Sequence, residues 1–381
     1  MEHVRSHLAA LVLGAALAGL AGTSAAASFG VTNLVSDDAA AHPAQLVDPG
    51  LLNAWGVSFS PTSPFWVSSN GAGTAVLYRV DPLTQAPTKV GLTVAIPGAG
   101  NVTGQVFNGN AAAFNGDAFL FVSEDGTISG WRGALGSTAE TLAIGSTANV
   151  YKGAALGTIG TDSYLYGANF RAGTIDVLKG SAGAPSLAGN FLDPNLPAGY
   201  APFNVQNLGG SLYVSYALQD AAKSDEVAGA GLGFVDRFDL NGNLLGRVAG
   251  AGTLDAPWGL AQAPASFGAL AGALLVGNFG DGRISIFDAA TDAPLGQVLG
   301  ADGLPLSIDG LWALSAGNGG GAGSNQLLYF SAGPDDEAHG LFGVLTPVPE
   351  PSTVALMLAG GIVVLRRARV AARAHAGSEA A

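Results

Sequence analysis

The chain has 381 residues, with 28 acidic side chains against 15 basic ones, which gives a formal net charge of −13 at pH 7. Such an excess of negative charge repels nucleic acid and anionic lipid, so a nucleic acid partner is excluded. Apolar residues make up 48% of the chain, which is too many for glycine-rich disorder although 58 residues are glycine. Because the chain contains no cysteine, burial rather than disulfide bonds has to stabilise the fold.

The first 27 residues predict a secretory signal peptide that is removed on export. Arg5 lies in the short polar region at the beginning of this segment, and the stretch from Leu8 to Leu20 is apolar. Ala25 and Ala27 are the small residues that suit cleavage before Ser28. We therefore expect an exported protein whose folded domain comprises residues 28–346.

The body of the chain repeats a pattern of short apolar strands and glycine turns. The clearest unit starts with a Trp-Gly pair and continues through "FWVSSN" and a glycine turn to "AVLYRVD". The six units begin at Asn53, Asn110, Tyr151, Ala201, Ala256 and Asp309. Periods near 40 to 50 residues with several strands each are typical of β-propeller blades, each a four-stranded sheet. The sequence therefore predicts an all-β fold, a six-bladed β-propeller.

Three tryptophans occupy the same position of the repeat, namely Trp55, Trp258 and Trp312. A large indole fits between adjacent sheets if its N–H group reaches a hydrogen-bonding partner. We therefore interpret these residues as packing between blades rather than as sugar-stacking platforms.

Signatures of common catalytic sites are absent from the sequence. It contains no G-x-S-x-G elbow, no H-E-x-x-H, no phosphate-binding loop and no G-x-G-x-x-G. Between residues 28 and 346, histidine occurs at His42 and His339 alone, which leaves little material for a histidine triad or a zinc site.

Polar residues recur at the start of the first strand and at the end of the second strand of the predicted blades. If these strands are antiparallel, the start of the first and the end of the second lie together near the central channel. The candidate metal-binding or ligand-binding residues are Asn53 and Asn204 at first-strand starts, Asn70, Glu124, Asn169 and Asn278 at second-strand ends, and Asp335 and Asp336 in the sixth unit. Carboxylate and amide oxygens suit a hard cation such as Ca²⁺. The alternative is that they are turn formers.

The C-terminal segment "VPEPSTVALMLAGGIVVLRRARVAAR" combines a proline-rich start, a short apolar run and an arginine cluster. The run from Ser352 to Leu365 spans roughly 21 Å as a helix, which is short for a hydrocarbon core of about 30 Å. The arginines that place the following end in the cytoplasm are Arg366, Arg367 and Arg369. We predict a sorting and transmembrane segment at residues 347–373, with a cytoplasmic tail at 374–381; a retained tail anchor is the alternative.

Pro349, Glu350 and Pro351, the apolar run and the arginine cluster together resemble the PEP-CTERM sorting signal of Gram-negative exopolysaccharide producers. The resemblance implies that a membrane-embedded exosortase cuts near these prolines and releases or transfers the body. It also implies transient membrane association, a location in the cell envelope, at the cell surface or in the matrix, and exopolysaccharide or envelope proteins as partners.

The repeats resemble NHL and gluconolactonase-like propellers. Propellers of the gluconolactonase type hold a divalent cation in the channel mouth with Glu, Asn and Asp, which implies a metal-dependent lactonase or esterase as one possible function. Asn53 stands where that pattern has its blade-initial glutamate. This departure favours the other function, that of a non-enzymatic binding or scaffold protein.

Overall fold

The computed structural model describes residues 28–250 and 252–348, which form β-strands joined by turns and short 3-10 helices. The predicted signal peptide, including Ala25 and Ala27, lies outside the described residues. So do Pro349 to Pro351, the arginine cluster and the tail. Within the described ranges, no helix is long and apolar enough to cross a membrane.

The strands of the first half follow in chain order. They are β1 (Ser28–Ser36), β2 (Leu46–Val47), β3 (Ala54–Ser58), β4 (Phe65–Ser69), β5 (Thr74–Val80), β6 (Pro87–Ala95), β7 (Val102–Phe107), β8 (Phe119–Ser123), β9 (Ile128–Trp131), β10 (Glu140–Ala143), β11 (Tyr151–Ile159), β12 (Asp162–Asn169) and β13 (Thr174–Lys179).

The strands of the second half are β14 (Tyr200–Leu208), β15 (Ser211–Gln219), β16 (Glu226–Val227), β17 (Phe234–Phe238), β18 (Leu244–Gly250), β19 (Pro257–Gln262), β20 (Leu274–Asn278), β21 (Ile284–Phe287), β22 (Pro294–Gln297), β23 (Leu299–Gly300), β24 (Leu311–Ala316), β25 (Leu328–Ala332) and β26 (Leu341–Pro347). The 3-10 helices are Asn70–Ala72, Phe114–Gly116, Gly133–Leu135 and Ala265–Leu270.

These strands form six sheets, and the predicted all-β six-bladed propeller is confirmed. Blades 1, 2 and 5 are the four-stranded sheets β3 to β6, β7 to β10 and β19 to β22. Blade 4 contains β14, β15, β17 and β18, with β16 added on β15. Blade 3 has three strands, β11 to β13, and not the expected four. Blade 2 also begins earlier than predicted, since its inner strand β7 precedes Asn110.

The first strand of each blade lines the channel, and these inner strands pack side by side around the ring axis. Glycine permits this approach. A Cβ atom at Gly56 would lie 2.4 Å from the Thr103 carbonyl oxygen, and one at Gly104 would lie 2.5 Å from the Ala154 nitrogen. Six hydrophobic clusters each lie between two adjacent blades, so every sheet buries its faces against its neighbours.

The ring is closed by the N-terminal strand. β1 pairs antiparallel with β26, from Phe29 opposite Pro347 to Ser36 opposite Leu341, and becomes an outer strand of blade 6 beside β24, β25 and β26. A bulge between Asn33 and Val35 turns both Leu34 and Val35 into the core, where they are fully buried. The two ends of the described chain therefore meet in one sheet.

Candidate functional site at the channel mouth

One position of the inner strands is buried in every blade. The residues at this position are Trp55, Thr103, Lys152, Phe203, Trp258 and Trp312, all at most 5% exposed. Blade 3 therefore places a lysine where four other blades place an aromatic ring. A buried ammonium group requires hydrogen-bonding or charged partners, because burying an unpaired charge is costly.

The three tryptophans predicted to pack between blades form a plug across the channel. The rings of Trp55 and Trp312 stack with centroids 3.6 Å apart, and Trp258 meets Trp55 edge to face at 6.4 Å. The Trp312 indole donates to Asn53 Oδ1 at 3.0 Å, and that of Trp258 donates to the Lys152 carbonyl oxygen at 3.0 Å. Because all three are buried, they leave no ring face for a sugar.

The ammonium group of Lys152 lies between the tryptophan plug and a group of carboxylates. Its Nζ lies 2.5 Å from Glu124 Oε1, 2.9 Å from Asp225 Oδ1 and 5.2 Å from the centre of the Trp55 ring. The lysine side chain is 2% exposed, whereas that of Asp225 is 67% exposed. Lys152 is thus an internal cation held by a half-buried glutamate, a surface aspartate and an aromatic face.

Four acidic groups near Lys152 share its single positive charge. Burial alone would lower the pKa of Lys152, but Glu124, Glu226 and Asp225 raise it above its ordinary value, so the group is charged at neutral pH. Burial, assisted by the charge of Glu226, raises the pKa of Glu337 to about 7. Burial also raises the pKa of Glu226. We call this end of the channel, with Lys152 and the four acidic groups, the channel mouth. The mouth therefore binds a proton near neutral pH.

Asn53 connects the tryptophan plug to the carboxylates. Its φ angle of 46° lies in the left-handed region, which asparagine tolerates better than most residues. Its Oδ1 accepts from Trp312, while its Nδ2 donates to Glu337 Oε2 at 2.5 Å and to Asn70 Oδ1 at 3.3 Å. Asn70 in turn donates to Glu124 Oε2 at 3.3 Å. A continuous chain of hydrogen bonds thus crosses blades 6, 1 and 2.

Asn70 and Glu124 occupy one structural position of their blades. The N–H group of each donates to the residue that precedes the inner strand, with N to O distances of 3.1 Å. The corresponding position of blades 3 and 5 holds Phe170 and Phe279, whose N–H groups make the same bond. Two of the blades therefore supply apolar rings where an oxygen ligand was predicted.

Asn169 and Asn278 lie one residue before that position, so their side chains project from the opposite face of the strand. Asn169 Nδ2 donates to Asn149 at 2.9 Å and to Asp176 at 2.8 Å. Asn278 Nδ2 donates to Asp281 Oδ1 at 2.9 Å. Both asparagines hold together the turns of their own blades and do not reach Glu124.

The remaining predicted residues lie in three other environments. Asn204 is inside the channel wall, where its Nδ2 donates to the Trp258 carbonyl oxygen at 2.7 Å. Asp335 is 59% exposed and pairs with His42 at 2.9 Å. Asp336 is exposed in the same loop. The structure therefore brings together Asn53, Asn70 and Glu124, and not the other five.

The carboxylates at the mouth surround an ammonium group of the chain itself. Within residues 28–250 and 252–348, no group of three or more His, Asp or Glu side chains is arranged to hold a metal ion. The cation beside Glu124 is the chain's own Lys152. An alignment of "YKGAAL" with the Trp-Gly units would have marked this lysine. Asp225 and Glu226 lie in the insertion of blade 4, and Glu337 in a loop of blade 6, which no repeat signal marks.

We expect Glu337 to make stability fall as the pH rises. Its folded-state pKa of about 7 lies above its ordinary value of 4.5, so the folded protein holds this proton more tightly than the unfolded chain does. The stabilising contribution is complete below about pH 4.5 and is lost as the pH rises through about 7. Glu337→Gln should flatten this decline in urea melts at several pH values. The exposed control Asp302→Asn should keep it; an unchanged decline in Glu337→Gln would contradict the expectation.

No family model matches the chain. An uncharacterised protein of Acanthamoeba polyphaga mimivirus is 30% identical to it over 344 residues, which covers 84% of this chain and 80% of that protein. A second uncharacterised protein of the same virus is 31% identical over 346 residues and covers 84% and 86%.

Solved propellers resemble the chain in fold. The alpha-L-arabinanase of Penicillium chrysogenum, complexed with arabinobiose, has a TM-score of 0.51 at 10% identity and covers 86% of this chain and 99% of its own. The PQQ-bound aldose sugar dehydrogenase of Streptomyces coelicolor has a TM-score of 0.46 at 17% identity and covers 78% and 95%. At such identities, the similarity to the arabinanase shows the fold alone.

Proposed function

The chain belongs to the family of the two mimivirus proteins, and we propose that it acts as a non-enzymatic binding or scaffold protein of the cell envelope or extracellular matrix. The observation that carries this proposal is the position of Lys152 among the carboxylates of the channel mouth. The ammonium group of Lys152 lies 2.5 Å from Glu124, which is the one charged residue among the predicted site residues that the structure brings to the mouth.

An internal ammonium disfavours a divalent cation at the same place. Two unit charges of the same sign 4 Å apart repel by about 4 kcal/mol at an effective dielectric of 20. A divalent ion on Glu124 would face this repulsion twice over, and it would have to compete for a carboxylate that Lys152 already holds. The carboxylate of Glu124 is therefore already paired with a cation of the chain itself. This pairing supports a binding function over metal-dependent hydrolysis.

A divalent-metal-dependent lactonase or esterase is the second candidate, favoured by one observation. The pKa of Glu337 of about 7 is suited to a general base at neutral pH, and perturbed carboxyl groups in clefts are candidates for such a role. In this alternative, Glu337 would accept a proton from water beside the bound ester. It requires the cation that Lys152 disfavours.

An assay with paired readouts tests the proposed function. The purified chain is mixed with gluconolactone and with aryl esters in the presence of Ca²⁺, and it is also sedimented with the matrix polysaccharide of producing cells. We expect sedimentation without turnover. Turnover that disappears in both Glu337→Gln and Glu124→Gln would replace the binding function with the enzymatic one.

We propose that the chain is exported and processed at both ends. Cleavage before Ser28 and near Pro349 to Pro351 would leave a body that begins and ends at the paired strands β1 and β26, with transient membrane association during sorting. In a host that has an exosortase, the intact mass should correspond to a chain from Ser28 that lacks Arg366 to Arg373. A mass that retains the arginine cluster would contradict the sorting proposal.

A further inference from the structure

We infer that the end of the channel opposite the carboxylate mouth is a binding site for one uncharged sugar ring. The inner strands run from the mouth past the tryptophan plug, and a cavity of about 220 Å³ opens where they end. A narrower space of about 20 Å³ lies between this cavity and Trp258. Ligand sites for drug-sized molecules measure about 300–1,000 Å³, so this cavity fits a single small ring.

The cavity wall is polar and carries no charge. Its polar side chains are Ser58, Gln105, Gln206, Asn207 and Ser315. Residues 28–350 carry a net charge of −16, since the first 27 residues contribute none and residues 351–381 contribute +3. A wall without a carboxylate on such an acidic protein favours ligands that hydrogen-bond through hydroxyl groups and bear no charge.

Two amides of the wall are fixed in place by the protein. Gln105 Nε2 donates to the Gly56 carbonyl oxygen at 2.7 Å, and its Oε1 accepts from Ser58 at 3.1 Å. Asn207 Nδ2 donates to the Leu156 carbonyl oxygen at 2.9 Å. These bonds hold the polar wall rigid, and a preorganised site loses little entropy when it binds.

Gln206 is the side chain available to a ligand. It is half-buried, lines both the cavity and the narrower space, and has no hydrogen-bonding partner among the described residues. A carboxamide offers two donors and one acceptor oxygen, which match the hydroxyl groups of a sugar. Phe59 and Phe107 add half-buried rings to the wall, against which the C–H faces of a sugar can pack.

Calorimetric titration of the full chain with methyl glycosides of glucose, galactose and mannose, and with glucuronate, tests this inference. At least one neutral glycoside should bind saturably in the millimolar range, and glucuronate should bind more weakly because a carboxylate loses solvation in the cavity. Gln206→Leu, which keeps the volume, should weaken binding about tenfold through the lost hydrogen bonds. The exposed Gln262→Leu should bind like the wild type.

The outcomes separate this inference from the proposed function. Absence of saturable binding for every neutral glycoside, glucuronate binding as tightly as the glycosides, or unchanged affinity in a folded Gln206→Leu would each overturn the sugar site. The matrix polysaccharide would still sediment with the chain if only the sugar site is wrong. Ester turnover would refute the proposed function and leave the glycoside titration unaffected. Thermal melts of both variants show whether they are folded.

Discussion

Lys152→Met should destabilise the protein by about 3–5 kcal/mol at neutral pH, because it removes one partner of a buried ion pair and leaves carboxylates uncompensated. The lysine side chain is 2% exposed and touches Glu124 at 2.5 Å. Methionine retains most of the side-chain volume, so the loss reports charge rather than a cavity. Chemical denaturation of both proteins measures the difference.

The pH dependence of Lys152→Met distinguishes a charge effect from a packing effect. Without the ammonium, the folded-state pKa of Glu337 rises further above its unfolded value, so the variant should gain more stability than the wild type does as the pH falls from 7 towards 4.5. The double variant Lys152→Met, Glu124→Gln should be more stable than Lys152→Met alone, since it removes an uncompensated charge. Lys179→Met, at a surface lysine that bonds to Ser186, is the control. A loss for Lys152→Met equal to that of the control would refute the ion-pair account.

Leu34→Ala should cost about 2–5 kcal/mol, because it deletes a fully buried side chain from the strand that closes the ring. Leu34 packs in the cluster between blades 6 and 1. Val31→Ala is the matched control in the same strand, since Val31 is 43% exposed and its substitution should stay within about 0.5 kcal/mol. Urea denaturation compares the two variants.

The closure of the ring also predicts how Leu34→Ala unfolds. Because each blade is stabilised by its two neighbours, weakening one junction should lower the midpoint of a single transition shared by all blades. Equal losses of stability in Leu34→Ala and Val31→Ala would show that the buried face of β1 does not stabilise the closed ring.

The repeats were sufficient to predict the architecture, because each unit carries the strands and glycine turns of a blade. The inner strand of blade 2 was missed, since Thr103 stands where the clearest units have tryptophan. The closure by β1 was not predicted either. β1 pairs with β26 across the whole length of the domain, and no feature of an isolated apolar strand specifies a partner so distant in sequence.

The candidate site was predictable only in part, for a geometric reason. Side chains alternate between the faces of a strand, so a shift of one residue sends Asn169 and Asn278 away from the channel while Asn70 and Glu124 face it. Lys152 was not predicted, because a single lysine in a strand does not by itself indicate a buried charge; its burial follows from its place at the tryptophan position of the other units. Glu226 and Glu337 reach the mouth from loops, whose paths the repeats do not determine.

Thermal unfolding of the full chain with Ca²⁺ and with a chelator tests most directly whether Lys152, rather than a metal ion, is the cation of the channel mouth. We predict coincident melting curves, in the wild type and in Glu124→Gln alike. A bound Ca²⁺ at a hundredfold excess over its dissociation constant would stabilise the folded state by about 2.7 kcal/mol. A shift of that size in the wild type, absent in Glu124→Gln, would contradict the account and restore the metal site.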